Sequence, residues 1–223
     1  MYASLEKLGS VFMANLIPFF RKHLRKKRAN HFFQVIREFE KEGITILDVG
    51  GTASYWRALD CFAIPAINVT ILNLSNQVSD LRYVSSVIGD ALDLSKFSNN
   101  EFDIVFSNSV IEHVGGVDEQ RRMAEEVRRV GRYYYIQTPN KYFPLEPHYF
   151  LPFFAFYPKW LKKIQLRLFY FSSSSKNFTI NRAKNDEEAD RLAERIFLLN
   201  RKEFQSLFPD ADIISEKIFG MVK

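Results

Sequence analysis

Thiols are almost absent: Cys61 is the one cysteine in 223 residues. That excludes an internal disulfide and any zinc centre built on several thiolates. Glycine is sparse as well, with nine in the chain, and none of them form G-x-G-x-x-G. The loop that a nicotinamide dinucleotide needs is therefore missing. No apolar stretch reaches the ~20 residues that span a bilayer. The N-terminal VFMANLIPFF, Val11 to Phe20, is followed by bases rather than preceded by them, which is the reverse of a secretory leader. What the chain does have is 47% hydrophobic and 26% charged residues, a balance that excludes large-scale disorder. Its length suits one well-buried domain with additions.

The net charge is +5, and much of the excess sits in RKHLRKKR, Arg21 to Arg28. A solvated helix face accounts for such a run. Joined to the apolar residues before it, the same run predicts a peripheral membrane contact through residues 11–28. The rest of the chain is close to charge balance, so no nucleic acid partner is expected. A lone cysteine fits a cytoplasmic protein, membrane-peripheral if that contact forms.

Residues 1–43 read as an N-terminal helical segment, with Phe32, Phe33, Ile36 and Phe39 on one stripe and Gly43 as its stop. From residue 44 to 223 the pattern changes to short β-branched or aromatic runs: Ile44–Val49, Ile67–Leu74, Tyr83–Ile88, Phe102–Ser107 and Arg132–Thr138. Several are apolar nearly throughout, as strands buried on both faces of a parallel sheet are. DEQRRMAEEVRRV separates the fourth from the fifth with Met123, Val127 and Val130 on one side of a helix. Strands alternating with helices predict an α/β class, a doubly wound, mostly parallel Rossmann-like sheet with helices on both faces. After Thr138 the rhythm breaks. Residues 139–185 read as an aromatic and mobile insertion, a lid or a substrate-facing element, with SSSSK and NRAKNDEEAD exposed. Asn200 and Glu203 stand at capping-box spacing, and ADIISEKIF reads as a shortened last strand. The sheet edge beside it would then be open, and an oligomer contact there is expected.

Ligands of open α/β sheets bind beyond the carboxyl ends of the strands. Five such ends carry polar or glycine-bearing turns here: Asp48-Val-Gly-Gly51, Asn73-Leu-Ser75, GDALDL from Gly89, SNSVIEHV from Ser107, and QTPN from Gln137. One turn of this kind is a common feature; five in order are specific. The motifs ILDVGGT, VIGDALDL, FDIVFSNSVIEHV, MAEEVRRVGRYYYIQTPN and FPLEPHYFLPFF resemble the class I S-adenosylmethionine-dependent methyltransferases, type 11-like, from about Ile44 to Pro158.

That resemblance implies S-adenosyl-L-methionine as cofactor, with no metal. It implies that Asp48 orders the first turn and holds the ligand's amino end, and that Gly50 and Gly51 allow close backbone approach. Asp90 would accept from the adenine amino group, Ala91 would contact the ring through its backbone, and Asn108 would line the methionine side. The family usually has an acid where this chain has Asn73, which predicts weaker ribose capture by about 1–2 kcal/mol. An in-line methyl transfer needs a base only for a hydroxyl or protonated amine; His148, Glu146 and His113 are the candidates. For His113 a bracing role beside Glu112 is favoured. The aromatic run Tyr142 to Tyr157 reads first as a cap on the sheet, and second as the lining for an apolar acceptor. The acceptor expected is a small molecule or a lipid- or sugar-linked one. Two other readings remain: a non-catalytic methyltransferase-like binding module, and a nicotinamide-dependent oxidoreductase.

Overall fold

The computed structural model describes residues 24–39, 43–59, 66–173, 178–218 and 220–223. The predicted membrane contact through residues 11–28 falls largely outside them. Within the described part, residues 24–37 form helix α1. Arg25, Lys26 and Lys27 on it are exposed, while Arg28 is paired with Glu216 at 2.9 Å. Among the described residues no helix is long and apolar enough to cross a membrane.

Five parallel strands make the central sheet: β1 (Ile44–Val49), β2 (Ile67–Asn73), β3 (Val84–Ile88), β4 (Phe102–Asn108) and β5 (Gly131–Gln137). Their order is β3-β2-β1-β4-β5. The middle strands β1 and β4 are apolar along nearly their whole length because both of their faces are covered. Side-chain alternation divides the core in two. Ile44, Ile46, Ile71, Ile104 and Phe106 pack with Phe32, Phe33 and Ile36 of α1 and with Trp56 and Leu59 of α2 (Ala53–Leu59). Leu47, Val49, Leu72 and Val105 face the opposite way. They pack with Met123, Val127 and Val130 of α3 (Val117–Val130) and with Leu207 and Phe208 at the end of a later helix. The predicted doubly wound α/β sheet is present, with strand boundaries within one residue of those read from the sequence.

The chain leaves the sheet after Gln137 and returns near residue 199, where Lys141 N–H donates to the Leu199 carbonyl at 2.9 Å. Between these points lie α4 (Lys159–Leu168), the hairpin β6–β7 (Tyr170–Ser173, Phe178–Asn181) and α5 (Asp186–Ala193). Tyr149, Leu151, Phe154, Leu166, Ala183 and Ala189 form a core of their own. Two expectations are corrected here. The aromatic run is a cap on α4 and α5 rather than on the sheet. The insertion also extends past 185, because Asn185 caps α5 by accepting from Glu188 N–H at 2.8 Å, and three acids in the first turn favour the helix dipole. NRAKNDEEAD is thus ordered as strand end and helix.

The capping box at Asn200 and Glu203 opens α6 (Arg201–Leu207) as read. The last strand is a further correction. Among the described residues of ADIISEKIF, Lys217–Ile218 (β8) is the strand, paired antiparallel with Met221–Val222 (β9), and this hairpin is separate from the central sheet. Among the described residues no strand pairs with the outer side of β5.

Candidate active site

The strand order reverses between β1 and β4, and the crevice lies beyond their carboxyl ends. At the end of β1, Gly50 adopts φ +74° and donates its N–H to the Leu72 carbonyl at 2.7 Å. A Cβ there would lie 2.5 Å from Val110 Cγ2, just past β4. A Cβ on Gly51 would fall 1.7 Å from Asp48 Oδ2. The turn therefore wraps its backbone around the Asp48 carboxylate, and only glycine fits at 51.

Asp48 is 1% exposed. Its Oδ2 accepts from Trp56 Nε1 at 2.7 Å, and its Oδ1 is buried without a partner. Burial pushes its pKa up to about 7, against the opposing pull of the Trp56 bond. The absence of later glycines also has a physical account. Thr52 Oγ1 accepts from Tyr55 N–H at 3.3 Å, in the place of an N-cap side chain for α2. A glycine at 52 would lack that oxygen.

Asn73 ends β2 and donates through Nδ2 to the Gly51 carbonyl at 2.7 Å. Its side chain buttresses the glycine turn. This reverses what a substitution there should do. From sequence alone, Asn73→Asp restores the acid that the family has and strengthens ribose capture. In the structure an aspartate has no donor for Gly51 and sets a carboxylate against a carbonyl oxygen. Asn73→Asp is expected to lower stability by about 1–2 kcal/mol and to leave cofactor affinity unimproved, as read by chemical unfolding and calorimetry. A gain in affinity would contradict the buttress.

Asp90 follows β3 and stays exposed. Its Oδ1 accepts from Leu92 N–H at 2.9 Å, which leaves Oδ2 for a ligand. Ala91 is buried beside it. Asn108 closes β4 opposite Gln137, and Ser107 beneath it donates to the Val49 carbonyl at 3.0 Å, tying the two strand ends together.

The three catalytic candidates also converge, and they bring Glu112 with them. The loop 146–151 is tight: Glu146 N–H donates to the Leu151 carbonyl and Phe150 N–H to the Glu146 carbonyl. Phe150 and Phe153 pay for the turn with φ of 52° and 56°. At its apex His148 Nδ1 lies 2.6 Å from Glu146 Oε1, while Glu146 Oε2 accepts from the backbone N–H of His148 and Tyr149 at 3.0 and 2.6 Å. Two backbone N–H groups already donate to Glu146, which marks it as the acceptor; the Nδ1–H tautomer of His148 pairs with it and leaves the Nε2 lone pair free. Nε2 points across to Glu112 Oε1 at 3.9 Å. Glu112 is fully buried; its Oε2 accepts from Thr138 Oγ1 at 3.0 Å, and its Oε1 has no hydrogen-bond partner. Burial raises the Glu112 pKa. His113 reaches the surface with its ring edge-on to His148, centroids 4.7 Å apart. Loss of hydration, then the nearby His148 and Arg195, push its pKa down to about 4.

Sequence reasoning named Glu112 only as a brace for His113, and it missed Thr138 and Gln120. Gln120 Nε2 donates to the carbonyls of Ile111 at 3.1 Å and Phe197 at 2.7 Å, pinning the turn that carries Glu112. The signal was present, since Glu112 and Thr138 both lie in the quoted strand-end motifs. What was missing was the β4–β5 register that brings them together.

Residues 47–133 match the type 11 family model described as "Methyltransferase domain", so the likeness read from the strand-end motifs holds over that segment. Uncharacterized proteins from two strains of Mycobacterium tuberculosis are 33% identical over 121 residues, covering 50% of this chain. The chain spans 41% of the length of those relatives. Among solved structures, a SAM-dependent methyltransferase from Aquifex aeolicus is 20% identical with a TM-score of 0.41, over 63% of this chain and 80% of that one. A protein of Rhodobacter sphaeroides assigned to the Zn-dependent alcohol dehydrogenases is 15% identical with a TM-score of 0.49, over 78% and 74%.

Proposed function

We propose, from a chain whose residues 47–133 match the model of a methyltransferase domain, that it moves a methyl group from S-adenosylmethionine to a hydroxyl carried on an apolar acceptor, with His148 as the base. The residues at the first turn suit this cofactor. A buried carboxylate oxygen without a partner lies at Asp48, inside a turn whose Gly50 and Gly51 leave the space of a Cβ to Val110 and to the Asp48 carboxylate. On this reading Asp90 and Ala91 hold the adenine and Asn108 lines the methionine portion. When bound, the cofactor supplies an electrophilic methyl on sulfur. A ligand without phosphate makes no demand on the N-terminus of α2, which Thr52 already caps.

The observation that carries the catalytic part is the Glu146–His148 pair. Glu146 fixes the tautomer, so Nε2 is the atom that takes the acceptor's proton as the oxygen–methyl bond forms and the sulfur–methyl bond breaks. The proton stays on the imidazole, which Glu146 stabilises as a cation at 2.6 Å. Placement at attack distance supplies most of the rate. The apolar acceptor follows from Tyr142, Phe153 and Phe156, all exposed on the insertion next to this loop, with Tyr142 and Phe156 stacked.

The test is transfer of tritiated methyl from S-adenosylmethionine to material extracted from cells. Label entering the organic phase with wild type, and not with His148→Ala, is the expected result. Label confined to water-soluble products would contradict an apolar acceptor.

A further inference from the structure

Three donor groups outside any thiolate pattern meet at the mouth of the site. Glu112, His113 and His148 each offer one ligand atom, and these atoms lie within 4.8 Å of one another. Two of the chain's four histidines are in the cluster. We infer that Glu112, His113 and His148 form a binding site for a single divalent cation of the zinc class.

Several features separate this cluster from a chance meeting of polar side chains. Glu112 Oε1 is buried, has no hydrogen-bond partner, and faces His148 Nε2 at 3.9 Å. An unpartnered carboxylate oxygen in the interior carries a cost that a cation removes. His148 has its other nitrogen tied to the buried Glu146 at 2.6 Å. This carboxylate–histidine arrangement orients metal-ligating imidazoles and raises their basicity. Glu112 is itself held from behind by Thr138 Oγ1. The supporting contacts of a metal site are thus in place around two of the three ligands. The third, His113, sits on a short turn at the surface, its ring edge-on to His148. Tetrahedral coordination at about 2.0–2.1 Å needs ligand atoms roughly 3.3 Å apart, which asks for a contraction of an ångström or so. Two imidazoles and one carboxylate match zinc rather than calcium or magnesium, which take oxygen ligands, and three protein ligands leave one position open.

The site overlaps the one assigned above, and its consequence rests on that assignment. The Nε2 lone pair that takes the acceptor's proton is the pair that a metal would take. Zinc and proton abstraction are then mutually exclusive, so bound zinc holds the enzyme inactive until it is removed.

The test uses the full chain without cofactor or acceptor, so its outcome does not depend on methyl transfer. Calorimetric titration with Zn²⁺ is expected to show one ion per chain. Co²⁺ should give visible absorption bands that Zn²⁺ displaces. Glu112→Gln and His113→Ala should each weaken binding at least tenfold while leaving the far-ultraviolet circular dichroism unchanged. Having an exposed target, His113→Ala is the variant to rely on if Glu112→Gln misfolds. Absence of saturable one-to-one binding, or binding unchanged in His113→Ala, overturns the proposal. Zinc binding by a chain that still transfers no methyl group after the zinc has been chelated away would instead support the metal site and overturn the catalytic reading.

Discussion

Asp48→Asn is expected to make the protein more stable above pH 7 and to cost it the cofactor. Asp48 has an ordinary pKa of 3.8 when unfolded and one of about 7 when folded, because it is buried beside a glycine turn with one oxygen unpartnered. The folded state therefore holds a proton that the unfolded state has released between those values. Stability from this group is complete below about pH 4 and is lost as pH rises to 7. Three units correspond to about 4 kcal/mol. Asparagine keeps the Trp56 bond through its oxygen and does not titrate. Its Nδ2, in the place of the orphaned oxygen, costs about 1–3 kcal/mol for want of an acceptor. The net gain at pH 8 is then about 1–3 kcal/mol, and at pH 5 the gain disappears or reverses. Urea unfolding at the two pH values checks this: wild type should be less stable at pH 8 than at pH 5, and the variant nearly flat. Cofactor affinity should fall about 10- to 100-fold, the loss of one charge-assisted bond to the ligand's ammonium. In wild type the affinity should rise as pH passes 7 and Asp48 ionises. Equal cofactor affinity in the variant would remove Asp48 from the binding site.

The second large effect is on turnover. His148→Ala is expected to lower methyl transfer to the hydroxyl acceptor by about 10²- to 10⁴-fold, the usual span for one general base. Its affinity for S-adenosylhomocysteine should stay within about twofold of wild type, because His148 belongs to the insertion and not to the β1, β2 or β3 turns. The contrast between turnover and affinity separates a base from a structural prop. His148 is partly exposed, and the loop around it is closed by backbone bonds of Glu146, Phe150 and Leu151, so truncation leaves the loop intact. Equal loss of turnover and affinity would indicate collapse of the site instead.

The sheet was legible because its strands are covered on both faces. Burial forces Ile46, Leu47, Ile104, Val105 and Phe106 to be apolar regardless of which face each serves. Helix α5 was hidden for the opposite reason. Ala189 is its one fully buried residue, so no apolar stripe marks it, and its evidence is a cap and three acids that also describe an exposed loop. ADIISEKIF misled in the other direction: its isoleucines have the composition of a strand, yet Ile214 is left 66% exposed. For the site, the turns proposed to hold the cofactor lie within contiguous motifs and could be picked out one by one. The cluster proposed to be catalytic could not. Glu112, Thr138 and Glu146 meet through the pairing of β4 with β5 and the return of the chain at Leu199, and spacing along the sequence carries neither. Asn73 was legible as a departure from the family, but its donor role towards Gly51 needed the turn's backbone path.

The proposed role of the Asp48–Gly51 turn is to hold S-adenosylmethionine or its product. Calorimetric titration of the full chain with S-adenosylhomocysteine at pH 8, with NADH as the parallel ligand, is the test. One S-adenosylhomocysteine per chain, no heat from NADH, and binding weakened at least tenfold in Asp48→Asn are the expected results. Binding of NADH, or no binding of S-adenosylhomocysteine by a folded chain, would contradict that role.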